Sequence, residues 1–187
     1  AVTENGKITT IKRFSSACVR IARAATGAAS SLADGLVEKG RVRNTLILSP
    51  PLGGKTTLLR DIVRELSKRG FRIGVADERG ELAGMVKGEP QFDLGGKTDT
   101  LDGCKKAEGA MLLLRGMAPD VLVMDEITAA EDVSAVLQAA HCGVAVLATA
   151  HAADFEEFAK RSAYAALIEA QIFGRVVELF RQADGHY

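Results

Sequence analysis

The run Ser49-Pro-Pro-Leu-Gly-Gly-Lys-Thr56 holds, in order, the residue types that grip a phosphate chain. Gly53 and Gly54 let backbone N–H groups approach phosphate oxygens with no Cβ in between. Pro51 and Leu52 complete the loop, and the amides of Lys55, Thr56 and Thr57 add the positive end of a helix dipole. Lys55 brings charge to the β and γ phosphates, and the Thr56 hydroxyl is a ligand for Mg²⁺. Ser49 stands where the general pattern Gly-x4-Gly-Lys-Ser/Thr has its first glycine, and the two prolines already fix φ beside it. A plain glycine-rich turn is the poorer explanation, because a lysine at a helix start is unfavourable unless an anion sits there.

A second set of groups closes other strands. Val121-Leu-Val-Met-Asp125-Glu126 is an apolar strand ending in two carboxylates. In that pattern Asp125 holds Mg²⁺, and Glu126, pointing elsewhere, polarises the attacking water as general base. Thr149-Ala150-His151 ends a later strand, where Thr149 or His151 can sense the γ-phosphate. Asp77-Glu78-Arg79 ends another at the carboxyl edge, where ligands of open α/β sheets bind, and Glu78 can help position water or metal. The catalytic candidates are thus Lys55, Glu78, Glu126 and His151, and the metal ligands are Thr56 and Asp125. Arg79, Arg115 and Arg175 are alternatives for an arginine offered to a neighbouring subunit. His141 and His186 have no motif around them, and Lys105-Lys106 and Lys160-Arg161 read as solvated helix faces.

These groups need a scaffold. Residues 8–14 read as a strand, and an apolar stripe at Val19, Ala22, Ala25, Ala29, Leu32 and Leu36 predicts a helix from Ser15 or Ser16 to about Lys39. Strands follow at 44–49, 71–76, 121–124, 144–149 and 172–180, with helices at 55–69, 103–116, 130–141 and 154–170. Alternation of this kind gives an α/β fold whose mostly parallel sheet carries helices on both faces. The phosphate loop follows the first core strand, another strand intervenes, and the carboxylate pair ends the third. That order is similar to the P-loop NTPases of the RecA/ASCE-like group, with an additional strand and a catalytic glutamate. No Asn-Lys-x-Asp is present, which favours adenine over guanine. Residues 77–102 carry five glycines and no clear period, and read as a long loop with a functional role. Asp184-Gly185 reads as a hairpin turn, which leaves two alternatives: a further strand after Tyr187 in a longer protein, or a natural end there.

The 187 residues suit one core, and 47% apolar, 26% charged residues exclude a disordered chain. Lys+Arg and Asp+Glu are 24 each, but residues 1–43 hold eight basic against three acidic residues. Such a basic arm usually forms solvated surface. Three scattered cysteines, Cys18, Cys104 and Cys142, argue against a disulfide framework or zinc site and for a reducing compartment. No apolar run approaches the roughly 20 residues of a membrane helix.

Taken together, Asn44-Thr-Leu-Ile-Leu-Ser-Pro-Pro, Gly54-Lys-Thr-Thr-Leu-Leu-Arg-Asp61, Asp77-Glu-Arg-Gly-Glu-Leu-Ala-Gly84, Cys104-Lys-Lys-Ala-Glu-Gly109, Met117-Ala-Pro-Asp-Val121, Asp125-Glu126 and Ala148-Thr-Ala-His151 make a pattern far more specific than the phosphate loop alone. On these the chain resembles the stage III sporulation protein AA family. The resemblance implies an ATPase related to those of type II and type IV secretion. In those enzymes an acidic box after the second strand and a histidine box after the fourth assist the nucleotide site, and Asp77, Glu78 and His151 match them. It further implies that residues 44–187 are the ATPase half of a longer protein, with residues 1–43 a strand–helix extension packed on it. A cytoplasmic ring, a hexamer, attached to a membrane complex on the mother-cell side and energising or assembling a sporulation channel would follow, with a membrane protein as partner.

The expected activity is Mg²⁺-dependent ATP hydrolysis. Two alternatives stay open: a nucleotide-gated scaffold with little hydrolysis, and an ATPase linked to nucleic acid. The basic arm speaks for the second alternative; zero net charge and 5% aromatic residues speak against it, so no nucleic acid is expected.

Overall fold

The computed structural model describes residues 2–4, 7–10, 15–16 and 23–180. Strands β1 (Val2–Glu4) and β2 (Lys7–Thr10) pair antiparallel. The rest of the expected strand at 11–14, and residues 17–22 of the expected helix, lie outside the described residues.

The long N-terminal helix is corrected. Residues 15–16 and 23–29 are not helical, and α1 covers Ser30–Leu36 only. Gly27 takes φ +90°, a conformation that stops a right-handed helix, so Ala25 falls outside it and is exposed. Beyond Leu36 the chain turns through a short antiparallel pair, β3 (Val37–Glu38) and β4 (Arg41–Val42).

The sheet is built from six strands, all parallel: β5 (Thr45–Ser49), β6 (Ile73–Asp77), β7 (Thr98–Asp102), β8 (Val121–Met124), β9 (Ala145–His151) and β10 (Arg175–Glu178). Their spatial order is β10-β5-β9-β8-β6-β7. β9 thus lies between the strand leading into the phosphate loop and the strand ending in Asp125-Glu126, which brings three strand ends side by side. The four central strands β5, β9, β8 and β6 are buried on both faces and largely apolar, with side chains alternating between two cores. Ile47, Val75, Val123 and Leu147 face α1 and α2 (Lys55–Lys68). Leu46, Leu48, Leu122, Met124 and Val146 face α3 (Lys106–Met117) and α4 (Ala130–His141), together with Phe158 and Leu167.

Two further elements differ from expectation. β7 lies within residues 77–102, where a loop was predicted. Its sequence Thr-Asp-Thr-Leu-Asp lacks an apolar run because it is an edge strand, paired only with β6 and half exposed. The predicted helix at 154–170 is broken into α5 (Phe155–Lys160), a 3₁₀ turn (Ser162–Tyr164) and α6 (Ala165–Glu169). At the break Arg161 is extended, and the turn stacks the Tyr164 ring on Phe158 with centroids 4.2 Å apart. It also delivers the Tyr164 hydroxyl to the Ile127 carbonyl at 2.9 Å. Two buried aromatic partners outweigh one turn of regular helix. Among the described residues no helix is long and apolar enough to cross a membrane.

Candidate nucleotide site

The loop between β5 and α2 is held tight by its glycines. A Cβ on Gly53 would come within 2.2 Å of the Ser49 hydroxyl oxygen and 3.0 Å of the Pro50 carbonyl. Gly54, immediately before α2, has φ +82°. Leu52 adopts φ +64° as well, and its side chain is 76% exposed at the tip. For a residue with a Cβ such a backbone costs on the order of 1 kcal/mol, and it occurs where a loop geometry is worth keeping. Pro51 is exposed beside it, whereas Lys55, the first residue of α2, is buried.

The Lys55 ammonium lies over the loop, 3.3 Å from the Ser49 carbonyl, 3.2 Å from the Ser49 hydroxyl and 3.4 Å from the Pro50 carbonyl. Ser49, which replaces the pattern's first glycine, therefore contributes an acceptor; its hydroxyl donates to the Pro50 carbonyl at 2.8 Å. The ammonium also lies 2.9 Å from His151 Nδ1. An ammonium only donates, so Nδ1 accepts and the ring proton belongs on Nε2. Nε2 in turn lies 3.0 Å from Glu126 Oε1 and donates to it. One imidazole thus links the lysine of the loop to the second acid of β8.

A parallel chain runs through the first acid. The Thr56 hydroxyl donates to Asp125 Oδ2 at 2.8 Å, and the buried Thr149 hydroxyl donates to Asp125 Oδ1 at 2.5 Å. Thr149 Oγ1 also accepts the Glu126 N–H at 2.7 Å. Lys55, Thr56, Asp125, Glu126, Thr149 and His151, from three neighbouring elements, form one connected hydrogen-bonded set. Thr56 and Asp125 provide a hydroxyl and a carboxylate, the hard oxygen pair that suits Mg²⁺, which needs only one or two protein ligands beside phosphate. Among the described residues no group of three or more His, Cys, Asp or Glu is placed to cage a metal.

The acidic candidates after β6 divide. Asp77 is buried, and its carboxylate accepts the N–H groups of Leu82 at 3.2 Å and Ala83 at 2.9 Å, folding the loop back on itself. Burial pushes its carboxyl above the ordinary range, against the pull of those donors. Glu78 is exposed, and lines a pocket of about 170 Å³ with Asp125, Glu126 and Lys106. Arg79 lines the same pocket, whereas Arg115 lines a cavity at the opposite edge of the sheet and Arg175 begins β10 beside Glu38. Thr57 sits apart from the hydrogen-bonded set, beside Arg60 and Phe92. His141 is exposed, and His186 lies outside the described residues.

Two residues went unrecognised in the sequence. Arg60 is buried on α2, and its guanidinium donates to the carbonyls of Leu82 at 2.7 Å, Arg23 at 2.6 Å and Glu81 at 3.0 Å, with the Phe92 ring 3.8 Å away. Burial lowers its pKa, while the charges of Asp125 and Asp77 oppose that shift. It pins the loop that follows Glu78 to the helix that follows the phosphate loop. Lys106 corrects the reading of Lys105-Lys106 as a solvated face: Lys105 is exposed, but Lys106 is 9% exposed and its ammonium donates to the Glu126 carbonyl at 2.6 Å. The signal available in the sequence was a lysine at a helix start, the same anomaly that marks Lys55. Lys160 and Arg161 are exposed and pair with Glu156 and Glu157, as solvated faces do.

Known proteins resemble this chain in sequence and in overall fold. The family described as Sporulation stage III, protein AA matches residues 1–185. Stage III sporulation protein AA of Bacillus subtilis (strain 168) is 42% identical over 186 residues, which cover 96% of this chain and 60% of that protein. The chain therefore spans about 60% of the length of that curated relative. Among solved structures, the ATPase DotB of Legionella pneumophila superposes with a TM-score of 0.57 at 21% identity, over 74% of this chain and 38% of that one. The ATPase DotB of Yersinia pseudotuberculosis gives 0.50 at 14% identity, over 77% and 41%. The fold is that of the P-loop ATPases.

Proposed function

This chain belongs to the stage III sporulation protein AA family, and we propose that it binds and hydrolyses ATP with Mg²⁺ to power or assemble a sporulation complex at a membrane. The observation that carries the reading is the hydrogen-bonded set joining the phosphate loop to both acids of β8 through His151 and Thr149.

In this reading the loop amides and Lys55 hold the β and γ phosphates. Mg²⁺, held by the Thr56 hydroxyl and by Asp125, would supply positive charge at those phosphate oxygens. Glu126 takes a proton from the attacking water as the new P–O bond forms, and the bond to the β-phosphate oxygen breaks to release ADP. His151 aims the Glu126 carboxylate through its Nε2 proton. Glu78, in the pocket beside both acids, orders the water on that side. In this reading Arg79, which lines the same pocket, would be the arginine offered to a neighbouring subunit. A homo-oligomeric ring, a hexamer by resemblance, would bring such a neighbour, and a membrane protein of the complex would be its partner. The division into an extension at residues 1–43 and an ATPase core at 44–187 belongs to the same proposal. It is supported by Asp61 of α2, which accepts the Ala29 N–H at 2.8 Å just before α1.

Glu126→Gln tests the chemistry. The variant is expected to keep its ATP affinity while single-turnover hydrolysis falls by about 100-fold or more. Phosphate release at the wild-type rate would remove Glu126 from the mechanism.

A further inference from the structure

Glu126 has a left-handed backbone, φ +54°, in a residue with a full side chain. That conformation is held from three directions: Thr149 takes the N–H, His151 takes the carboxylate and Lys106 takes the carbonyl. The third hold is the least expected. Lys106 is the first residue of α3, where the helix dipole disfavours a cation, and its side chain is buried. The shortest contact of its ammonium is the Glu126 carbonyl at 2.6 Å; Asp132 Oδ2 lies farther, at 3.7 Å. Asp132 is already engaged by the N–H groups of Thr128 at 2.9 Å and Ala129 at 3.1 Å, so the start of α4 is closed without the lysine. The Lys106 backbone N–H reaches Glu78 Oε2 at 3.3 Å. One residue at the head of α3 therefore touches Glu126 and Glu78, two of the acids that line the 170 Å³ pocket.

We propose that Lys106 is a positioning residue that fixes the peptide of Glu126, and so the direction of its carboxylate, while its own amide gathers Glu78 to the same pocket. The inference rests on the reading of Glu126 as the group that activates water. Rotating the peptide of a strained residue swings the carboxylate away from the reacting phosphorus, and a displacement near 1 Å costs about 100-fold in rate. Nucleotide affinity stays with the phosphate loop, since the polar contacts of Lys106 go to Glu126, Glu78 and Asp132.

The experiment is ATP turnover by the full-length protein with Lys106→Met, Lys106→Gln and Lys106→Arg. Lys106→Met is expected to lower kcat by about 10- to 100-fold, with KM and ATP affinity within about twofold of wild type. Lys106→Arg, which keeps charge and donor, should recover most of the rate. Lys106→Gln keeps a shorter donor, relieves the buried charge and should fall between them, so the test survives if the methionine variant does not fold. In a Glu126→Gln background, Lys106→Met should add no further loss in single turnover, because both act through one carboxylate. An active wild type with unchanged Lys106 variants, or a second loss that multiplies the first, overturns the inference alone. A wild type that binds ATP but releases no phosphate at any protein concentration overturns the hydrolytic reading, and this inference with it.

Discussion

The two edges of the six-stranded sheet hold polar groups in different ways. At the amino edge the Asn44 side chain donates to the Ile172 carbonyl at 3.0 Å and accepts the Val146 N–H at 2.9 Å, and Arg72 pairs with Asp120 in solvent at 2.9 Å. These bonds close turns and align neighbouring strands. The same edge opens into a cavity of about 810 Å³ lined by residues such as Phe71, Leu114, Pro119 and Val144. At the carboxyl edge the pocket beside the acids is only about 170 Å³. There, however, side chains bond to side chains across three elements, an arrangement that is a minority of protein hydrogen bonds. Volume alone would have pointed to the wrong end. What marks the site is a set of charged and hydroxyl groups tied to one another as well as to nearby backbone.

Substitutions at the two edges can break that contrast. Lys55→Ala has the largest expected effect, a loss of roughly 100-fold or more in ATP affinity by titration with a fluorescent nucleotide. Undiminished binding would mean that the carboxyl-edge network serves something other than phosphate. Thr149→Val keeps the shape of the side chain but leaves the Glu126 N–H and Asp125 Oδ1 without the hydroxyl between them. Its expected cost is about 1–3 kcal/mol in urea unfolding, and a neutral result would show that water fills the gap. Asp120→Asn, at the amino edge, is expected to have the smallest effect. Side-chain and backbone bonds from Arg72 hold the Asp120 carboxyl below its ordinary value. A depressed folded-state pKa contributes stability above the unfolded value of 3.8 and loses it as pH falls through the folded one. The small difference between variant and wild type should therefore fade only in strong acid; a difference that persists below that range would assign it to packing instead.

Legibility followed burial. β5, β8 and β9 were readable because both faces are covered and the runs are apolar throughout. β7 was not, since an edge strand with two aspartates satisfies its backbone through β6 without needing an apolar face. Among the described residues, the helix expected from Ser15 or Ser16 to about Lys39 is confined to Ser30–Leu36 for the opposite reason: Ala25 belongs to the apolar stripe, but Gly27 at φ +90° keeps residues 23–29 out of the helix. Within the site, Lys55, Thr56, Asp125, Glu126 and His151 were each visible because a motif fixes their place relative to a strand end. Lys106 and Arg60 were not, because their partners are backbone carbonyls distant in sequence, and a carbonyl carries no residue signature.

The residue types and their spacing were enough to determine that a glycine-rich Gly-Gly-Lys-Thr loop follows a buried strand, and that two carboxylates and a histidine end two others. Those are local facts, fixed by glycine sterics, apolar periodicity and the chemistry of each side chain. Which strand lies between which was decided only by the tertiary structure. Placing β9 between β5 and β8 puts His151 between Lys55 and Glu126, and Thr149 between the two acids. Hydrogen bonds reach about 3 Å, so the connection among groups nearly a hundred residues apart exists only once the strands are laid side by side.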